Sequence, residues 1–369
     1  RARLVAAHLE RRAARRRPAP APGNDVHVLA GGDAAYAAVL DAIDGARRAV
    51  AIEMYTWADD RLGRRFAERV AARARAGVAV LVLLDAFGSL GSGTIAALLE
   101  EAGARVLWYR PLVPWALRFA VHRRNHRKLV IVDGEVAFTG GLNIAESYAA
   151  EFSGDLAWID AAIRVEGPAA RDFARVFSRS WIGAGGRAAD SSILVTNPPR
   201  RGTVPVEVVA GRGLRGRRWL RARHLAEIAA AQRTIFIANA YFAPERVLVR
   251  ALARAAERGV AVELLLPSRT DAWFVRWAGR ACYERLLQSG VSIREVEHRM
   301  LHAKIAVFDD AVLLTGSANL DYRSFRHNLE VAATVHDAAT ARDTLSALAA
   351  DAARARPIRR AAWADRPWT

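Results

Sequence analysis

One polar pattern occurs twice in the chain. "HRKLVIVDGEVAFTGGLNIAESY" starts at His126 and "HAKIAVFDDAVLLTGSANLDYRS" starts at His302; aligned, they share H-x-K-x4-D and then T-G-[GS]-x-N. The segments upstream repeat as well. "RAVAIEMYTWADDRLGRRFAERVAARARAGVAVLVLLDAFGS" and "RTIFIANAYFAPERVLVRALARAAERGVAVELLLPSRTD" both run strand, polar turn, basic amphipathic helix, glycine, apolar strand. "GVAV" recurs at Gly77 and Gly259, 182 residues apart, whereas the motif lysines are 176 apart, so one short indel separates the copies. A period this long means a duplicated domain rather than a solenoid.

Each copy alternates strand-like and helix-like segments, the succession that builds helix-covered sheets. The expected fold is therefore α/β: two similar α/β/α sandwich domains with mixed, mainly parallel sheets. A pseudo-twofold axis would relate them, with the active site at their interface. The expected boundaries are a basic segment and linker at 1–24, a first domain at 25–183, a linker at 184–205, a second domain at 206–350 and a tail at 351–369. The 184–205 stretch is rich in Gly, Pro, Ser and Arg and lacks periodicity. The opening "RARLVAAHLERRAARRRPAPAPG" lacks the apolar core of a signal peptide and reads as an exposed basic helix with a Pro-rich linker. It serves either a membrane surface or only as a solvated tail. No apolar run is long enough for a transmembrane helix.

At 52% hydrophobic the chain has ample material for a core. The single cysteine, Cys282, excludes an internal disulfide and any multi-cysteine metal site, and reads as a small buried apolar residue. The formal charge of +17 favours anionic partners, which include nucleic acid, phosphate esters and the face of an anionic membrane.

The 55 basic residues are all arginine except Lys128 and Lys304, one in each motif. Arginine presents a wide planar fork, lysine a compact charge on a flexible stem. Random placement of two lysines among those positions would fill both motif sites on the order of once in a thousand trials, so a requirement for the smaller head is the better account. His126 and Lys128, like His302 and Lys304, are two apart on a strand and share a face. Leu129/Ile131 and Ile305/Val307 alternate into the layer beneath. The returning strand brings Asn143 or Asn319 to the same spot, and the neighbouring glycines let backbone approach a bound group. Two imidazoles, two ammonium groups and two amides would grip one phosphodiester. Asp133 and Asp309 fit two readings: catalytic acids, or residues that orient the turn after the strand.

These residues resemble the phospholipase D superfamily, whose mark is the duplicated H-x-K-x4-D, and more closely its bacterial cardiolipin synthases. "GGLNIAESY", "RVEGPAA" and "MLHAKIAVFDDAVLLTGSANLDYRSFRHNLE" carry the closer resemblance, which spans roughly 25–350. It implies a two-step phosphatidyl transfer with phosphatidylglycerol as substrate, without metal or cofactor. One histidine, by family precedent His126, would attack phosphorus; the other would protonate the leaving alcohol and then deprotonate the acceptor. Lys128, Lys304, Asn143 and Asn319 would stabilise charge on the phosphate oxygens. The family also hydrogen-bonds a carboxylate, well downstream of each histidine, to the imidazole; Asp160 and Glu330 fit those places, and Ser317 is counted with them as a supporting residue. The stretch "GLNIAESYAAEFSGDLAWID" is shorter than the family's, which leaves the acceptor alcohol open.

The resemblance places the protein peripherally on the cytoplasmic face of the cell membrane. Trp108, Tyr109, Trp115 and Phe119 lie among arginines in a segment broken by Pro111 and Pro114. Trp273, Phe274, Trp277 and Tyr283 precede the second motif at helical spacing. Such segments suit either an interfacial surface or core-facing helices. Hydrolysis by a phospholipase D or a nuclease of the same fold is the alternative, and nucleic acid remains open as a partner, as does the oligomeric state.

Overall fold

The computed structural model describes residues 19–111, 123–211 and 213–364. The basic stretch before residue 19, Pro114, Trp115 and Phe119 lie outside the described residues. The first lobe contains β1 (Ala21–Ala30), β2 (Ala49–Met54), β3 (Ala79–Asp85), β4 (Arg105–Tyr109), β5 (Lys128–Val132), β6 (Val136–Gly140) and β7 (Ala161–Glu166). The second repeats them as β8 (Val204–Gly211), β9 (Thr234–Asn239), β10 (Ala261–Pro267), β11 (Ser292–Val296), β12 (Lys304–Phe308), β13 (Val312–Gly316) and β14 (Glu330–His336), and a short β15 (Arg356–Pro357) pairs with β11.

The strand order is β4-β3-β2-β5-β6-β7-β1 in one lobe and β11-β10-β9-β12-β13-β14-β8 in the other, the same order in matched strands. The lobes join edge to edge through an antiparallel contact between β1 and β8, so the two expected sheets form one. Parallel pairing is confined to β2-β3-β4 and β9-β10-β11; the remaining pairings are antiparallel, which corrects the expectation of mainly parallel sheets. The cause is local. The motif itself is a tight hairpin, β5-β6 or β12-β13, and a hairpin can only pair antiparallel.

Strand alternation sorts residues between layers. In β2, Val50, Ile52 and Met54 face an outer core with Leu62, Phe66 and Val70 of helix Arg61–Arg75. Ala49 and Ala51 point the other way, into a core shared by both lobes. There small side chains leave room for Phe173, Phe177 and Trp181 of helix Pro168–Gly183. Leu129, Ile131, Ile305 and Val307 enter this shared core, as their alternation predicts.

Several boundaries move, among them the start of β8 at Val204 inside the second expected linker. β1 begins at Ala21, inside the expected linker, and helix Ala338–Arg354 runs past residue 350. The expected tail then closes the second outer core, because Ile358 and Trp363 are apolar and bury there. Cys282 is only half-buried, against that core.

Candidate active site

His126 and His302 stand just before β5 and β12, where each lead-in segment makes a one-rung parallel bridge to the opposite lobe. The His126 amide donates to the Leu329 carbonyl at 3.0 Å, and the His302 amide to the Ile159 carbonyl at 2.8 Å. The next residues, Glu330 and Asp160, are the two carboxylates. Each histidine is thus bound, backbone and ring, to the other lobe.

His126 Nδ1 lies 3.2 Å from a Glu330 carboxylate oxygen and 3.1 Å from the Ser317 carbonyl. His302 Nδ1 lies 2.8 Å from Asp160 Oδ2. The carboxylates were expected to serve the histidine upstream in their own lobe; the structure crosses them. Two acceptors around His126 Nδ1 place its proton there and leave Nε2 with the lone pair. Gly141 and Ser317, equivalent in the repeat, support the acids differently. A Cβ on Gly141 would sit 2.3 Å from both Asp160 oxygens, so glycine makes room for that carboxylate. Ser317 instead donates its hydroxyl to Glu330 at 2.5 Å.

The lysines are buried and fold back on their own motifs. Lys128 Nζ donates to the His126 carbonyl at 2.9 Å; Lys304 Nζ donates to the His302 carbonyl and lies 2.9 Å from His302 Nδ1. Burial, then the field of Lys304, brings the Lys128 ammonium down to about 7, and burial brings Lys304 down to about 8. Burial likewise lowers both imidazoles, His302 furthest, and the His302 ring also feels Lys304, Lys128 and His126. Backbone and ring contacts that cross between the lobes bring both motifs to the lobe interface. Burial raises Asp160 to about 7. Burial pushes Glu330 upward too, but His126, Lys128 and the Ser317 hydroxyl outweigh it and hold Glu330 low.

Asn143 is committed to the wall of the site: its Oδ1 accepts from the Thr56 amide at 3.2 Å and its Nδ2 donates to the Tyr148 hydroxyl at 2.8 Å. Asn319 is buried, with its acceptor Oδ1 unpartnered. Asp133 and Asp309 do not join the site. They sit at the far ends of β5 and β12, about 16 Å along the strands from the lysines. Asp133 accepts from the backbone amides of Arg47, Arg48 and Ala49 at 2.8–3.0 Å, and Asp309 does the same for Gln232, Arg233 and Thr234 at 2.7–3.0 Å. Both adopt positive φ, 54° and 51°, which aspartate tolerates in turns. Their catalytic assignment is corrected to a clamp on the start of β2 and β9.

Sequence reasoning missed the aromatic wall. Tyr55 packs 4.9 Å from the His126 ring, while Tyr148, Trp158 and Tyr241 surround His302 at 5.2, 5.4 and 6.2 Å. Tyr148 also reaches His302 Nδ1 at 3.2 Å. Tyr55 and Tyr241 follow the C-terminal ends of β2 and β9, where ligands bind in open α/β sheets, so their position was the available signal. Of the aromatic residues expected at an interface, Trp108 and Tyr109 lie on β4, and Tyr283 is buried; Trp273, Phe274 and Trp277 are exposed.

Two equivalent lobes that carry paired H-x-K motifs where they meet define a protein of the phospholipase D class. Residues 39–181 and 224–351 match the family model described as "Cardiolipin synthase, PLD-like domain", and the chain belongs to that family. It is 33% identical over 318 residues to cardiolipin synthase 2 of Bacillus anthracis, covering 85% of this chain but 62% of that protein. Cardiolipin synthase B of Shigella flexneri is 33% identical over 342 residues, covering 89% and 81%. The chain therefore spans less than two thirds of the Bacillus relative. Among solved structures, the phosphatidylserine synthase of Haemophilus influenzae Rd KW20 superposes with a TM-score of 0.72 at 14% identity, over 95% of this chain and 92% of that one, a likeness of fold.

Proposed function

We propose that the chain is a cardiolipin synthase-like phosphatidyltransferase, acting on phosphatidylglycerol at the cytoplasmic face of the cell membrane. The observation that carries this reading is the crossed pair: two buried imidazoles, each held at Nδ1 by the opposite lobe's carboxylate, beside two lysines. In the first step His126 Nε2 attacks phosphorus, the P–O bond to glycerol breaks, and His302 gives that oxygen a proton. In the second, His302 takes the proton of an acceptor hydroxyl, the new oxygen attacks phosphorus, and the P–N bond to His126 breaks. Lys128, Lys304 and the Nδ2 donor of Asn319 bear on the non-bridging oxygens, and Glu330 steadies the Nδ1 proton of His126. The phosphate's negative charge would offset the fields of Lys304 and Lys128, which add to burial in depressing His302.

The aromatic surroundings suit a lipid glycerophosphate. The proposed seat is peripheral; no described helix is long and apolar enough to cross a membrane. The deciding assay supplies labelled phosphatidylglycerol vesicles, with a parallel plasmid digest. Cardiolipin plus glycerol is expected. Phosphatidic acid alone would replace transfer by hydrolysis, and nicked plasmid would make the chain a nuclease.

A further inference from the structure

We infer that helix Trp273–Arg280 of the second lobe, assisted by the loop after β3 in the first, is the surface that seats this chain on an anionic glycerophospholipid bilayer. This deepens the membrane reading above and rests on it. Trp273, Phe274 and Trp277 are 67%, 56% and 60% exposed and touch one another, with ring centroids 6.1 and 6.2 Å apart. They occupy one face of the helix. The opposite face is packed down: Gly279 is buried, and a Cβ there would meet the Phe242 carbonyl at 2.0 Å. Water therefore faces three large rings that the fold has no need to expose.

Their location ties them to the cleft. Asp271, two residues before the helix, accepts from the Tyr241 hydroxyl at 2.5 Å, and Tyr241 borders His302. The first lobe repeats the device at the matched place, just after β3. Phe87 and Leu90 are exposed there, the Arg124 guanidinium lies over Phe87 at 5.7 Å, and Gly88 packs against Tyr55 beside His126. Tyr322 adds a further exposed ring, with the Arg326 guanidinium 5.7 Å from it. Exposed apolar side chains thus stand in both lobes, on segments that contact the tyrosines beside both histidines.

Charge selects the occupant. The chain carries +17, and exposed Arg269 and Arg323 flank these rings. Indole rings at headgroup depth with guanidinium groups on phosphate are the composition of an interfacial anchor. The arrangement would let a lipid phosphate reach the histidines while its acyl chains stay in the bilayer.

The test uses the full chain and its Trp273→Ala/Phe274→Ala/Trp277→Ala variant, with Ile182→Ala, an exposed apolar site on another helix, as control. Co-sedimentation with phosphatidylglycerol/phosphatidylcholine vesicles should show a partition coefficient about 100-fold lower in the triple variant, and unchanged in the control. Melting temperature should not move, nor should turnover of a short-chain, water-soluble phosphatidylglycerol. Wild-type binding should weaken on pure phosphatidylcholine. Partition of the triple variant within about twofold of wild type overturns the inference. So does a wild-type dimer that the triple variant dissolves, since the rings would then cover a second copy. If no lipid is turned over yet partition falls as expected, the transfer reading fails and the seating surface stands.

Discussion

The two lobes present the same H-x-K to the cleft on different foundations. Behind His126 lie Arg124, Asn125 and Arg127, all buried, with the buried acids Glu53 and Asp85. Asn125 donates to Glu53 at 2.9 Å, its amide donates to Asp85 at 2.7 Å, and both arginines lie 3.5 Å from these acids. At the matched positions the second lobe has Met300, Leu301 and Ala303, with Ala238 for Glu53 and Pro267 for Asp85. An apolar foundation therefore suffices to hold a histidine and lysine in place. The charged one costs desolvation, and its return is cross-linking: Arg127 donates to the Glu330 carbonyl at 3.1 Å and to Ser180 at 2.5 Å, tying the first motif to the opposite lobe and the shared core.

The comparison breaks first at the histidines. His126→Ala and His302→Ala should each lower kcat by about 10⁴-fold or more, with melting temperatures preserved. Acid-quench labelling with phosphatidylglycerol should trap no phosphoenzyme in His126→Ala, whereas His302→Ala should form it slowly. Residual turnover near wild type in either variant would show that one lobe works alone. Next come the crossed acids: Glu330→Gln and Asp160→Asn should lose about 10²–10⁴-fold in kcat with little change in KM, measured on short-chain lipid.

The foundations themselves are tested by stability. Arg127→Met leaves Glu53 buried without its guanidinium and should cost about 3–5 kcal/mol in urea unfolding. Adding Glu53→Leu should recover most of that loss, because the second lobe already folds with alanine at both places. If the double variant is as unstable as the single, the cross-links of Arg127 matter more than its charge.

A smaller effect follows pH. If the depressed Lys128 and Lys304 ammonium groups hold phosphate in the proposed step, kcat/KM should fall about tenfold per pH unit between about 7 and 8 and about a hundredfold per unit above 8. Stability should run the other way. The unfolded chain keeps Lys128 protonated up to about pH 10.4, so between about pH 7 and that value it binds more protons than the folded chain, and folding gains as pH rises. Lys128→Met should accordingly be more stable than the parent at pH 6, by a margin that shrinks toward pH 10. The smallest expected effect is the most symmetric: Asp133→Asn and Asp309→Asn should each cost about 1 kcal/mol and leave kcat intact.

Much of the site was legible because its residues are rare in this composition or duplicated: two lysines among arginines, two histidines at one spacing, paired asparagines. Asp133 and Asp309 misled because a turn clamp and a catalytic acid look alike after a strand; only their bonds to Arg47–Ala49 and Gln232–Thr234 separate the readings. The crossing of Asp160 and Glu330 left no trace in spacing, since each is nearer in sequence to the wrong histidine. The aromatic wall lay in plain view after β2 and β9, yet single tyrosines have no period to betray them. Sheet direction was misjudged because helix–strand alternation describes only the three parallel strands of each lobe, whereas the hairpin carrying the chemistry obeys a different rule.

The exchanged acids bear on ancestry and on engineering alike. Half of this molecule, cut free, would own a nucleophile whose orienting anion had stayed behind with its twin. It could regain that anion only by docking to another half, as a homodimer whose partners lend each other what neither can use at home. Joining two such halves in a single polypeptide would remove the dependence on concentration and leave each half free to differ, as the unequal foundations beneath the two histidines do.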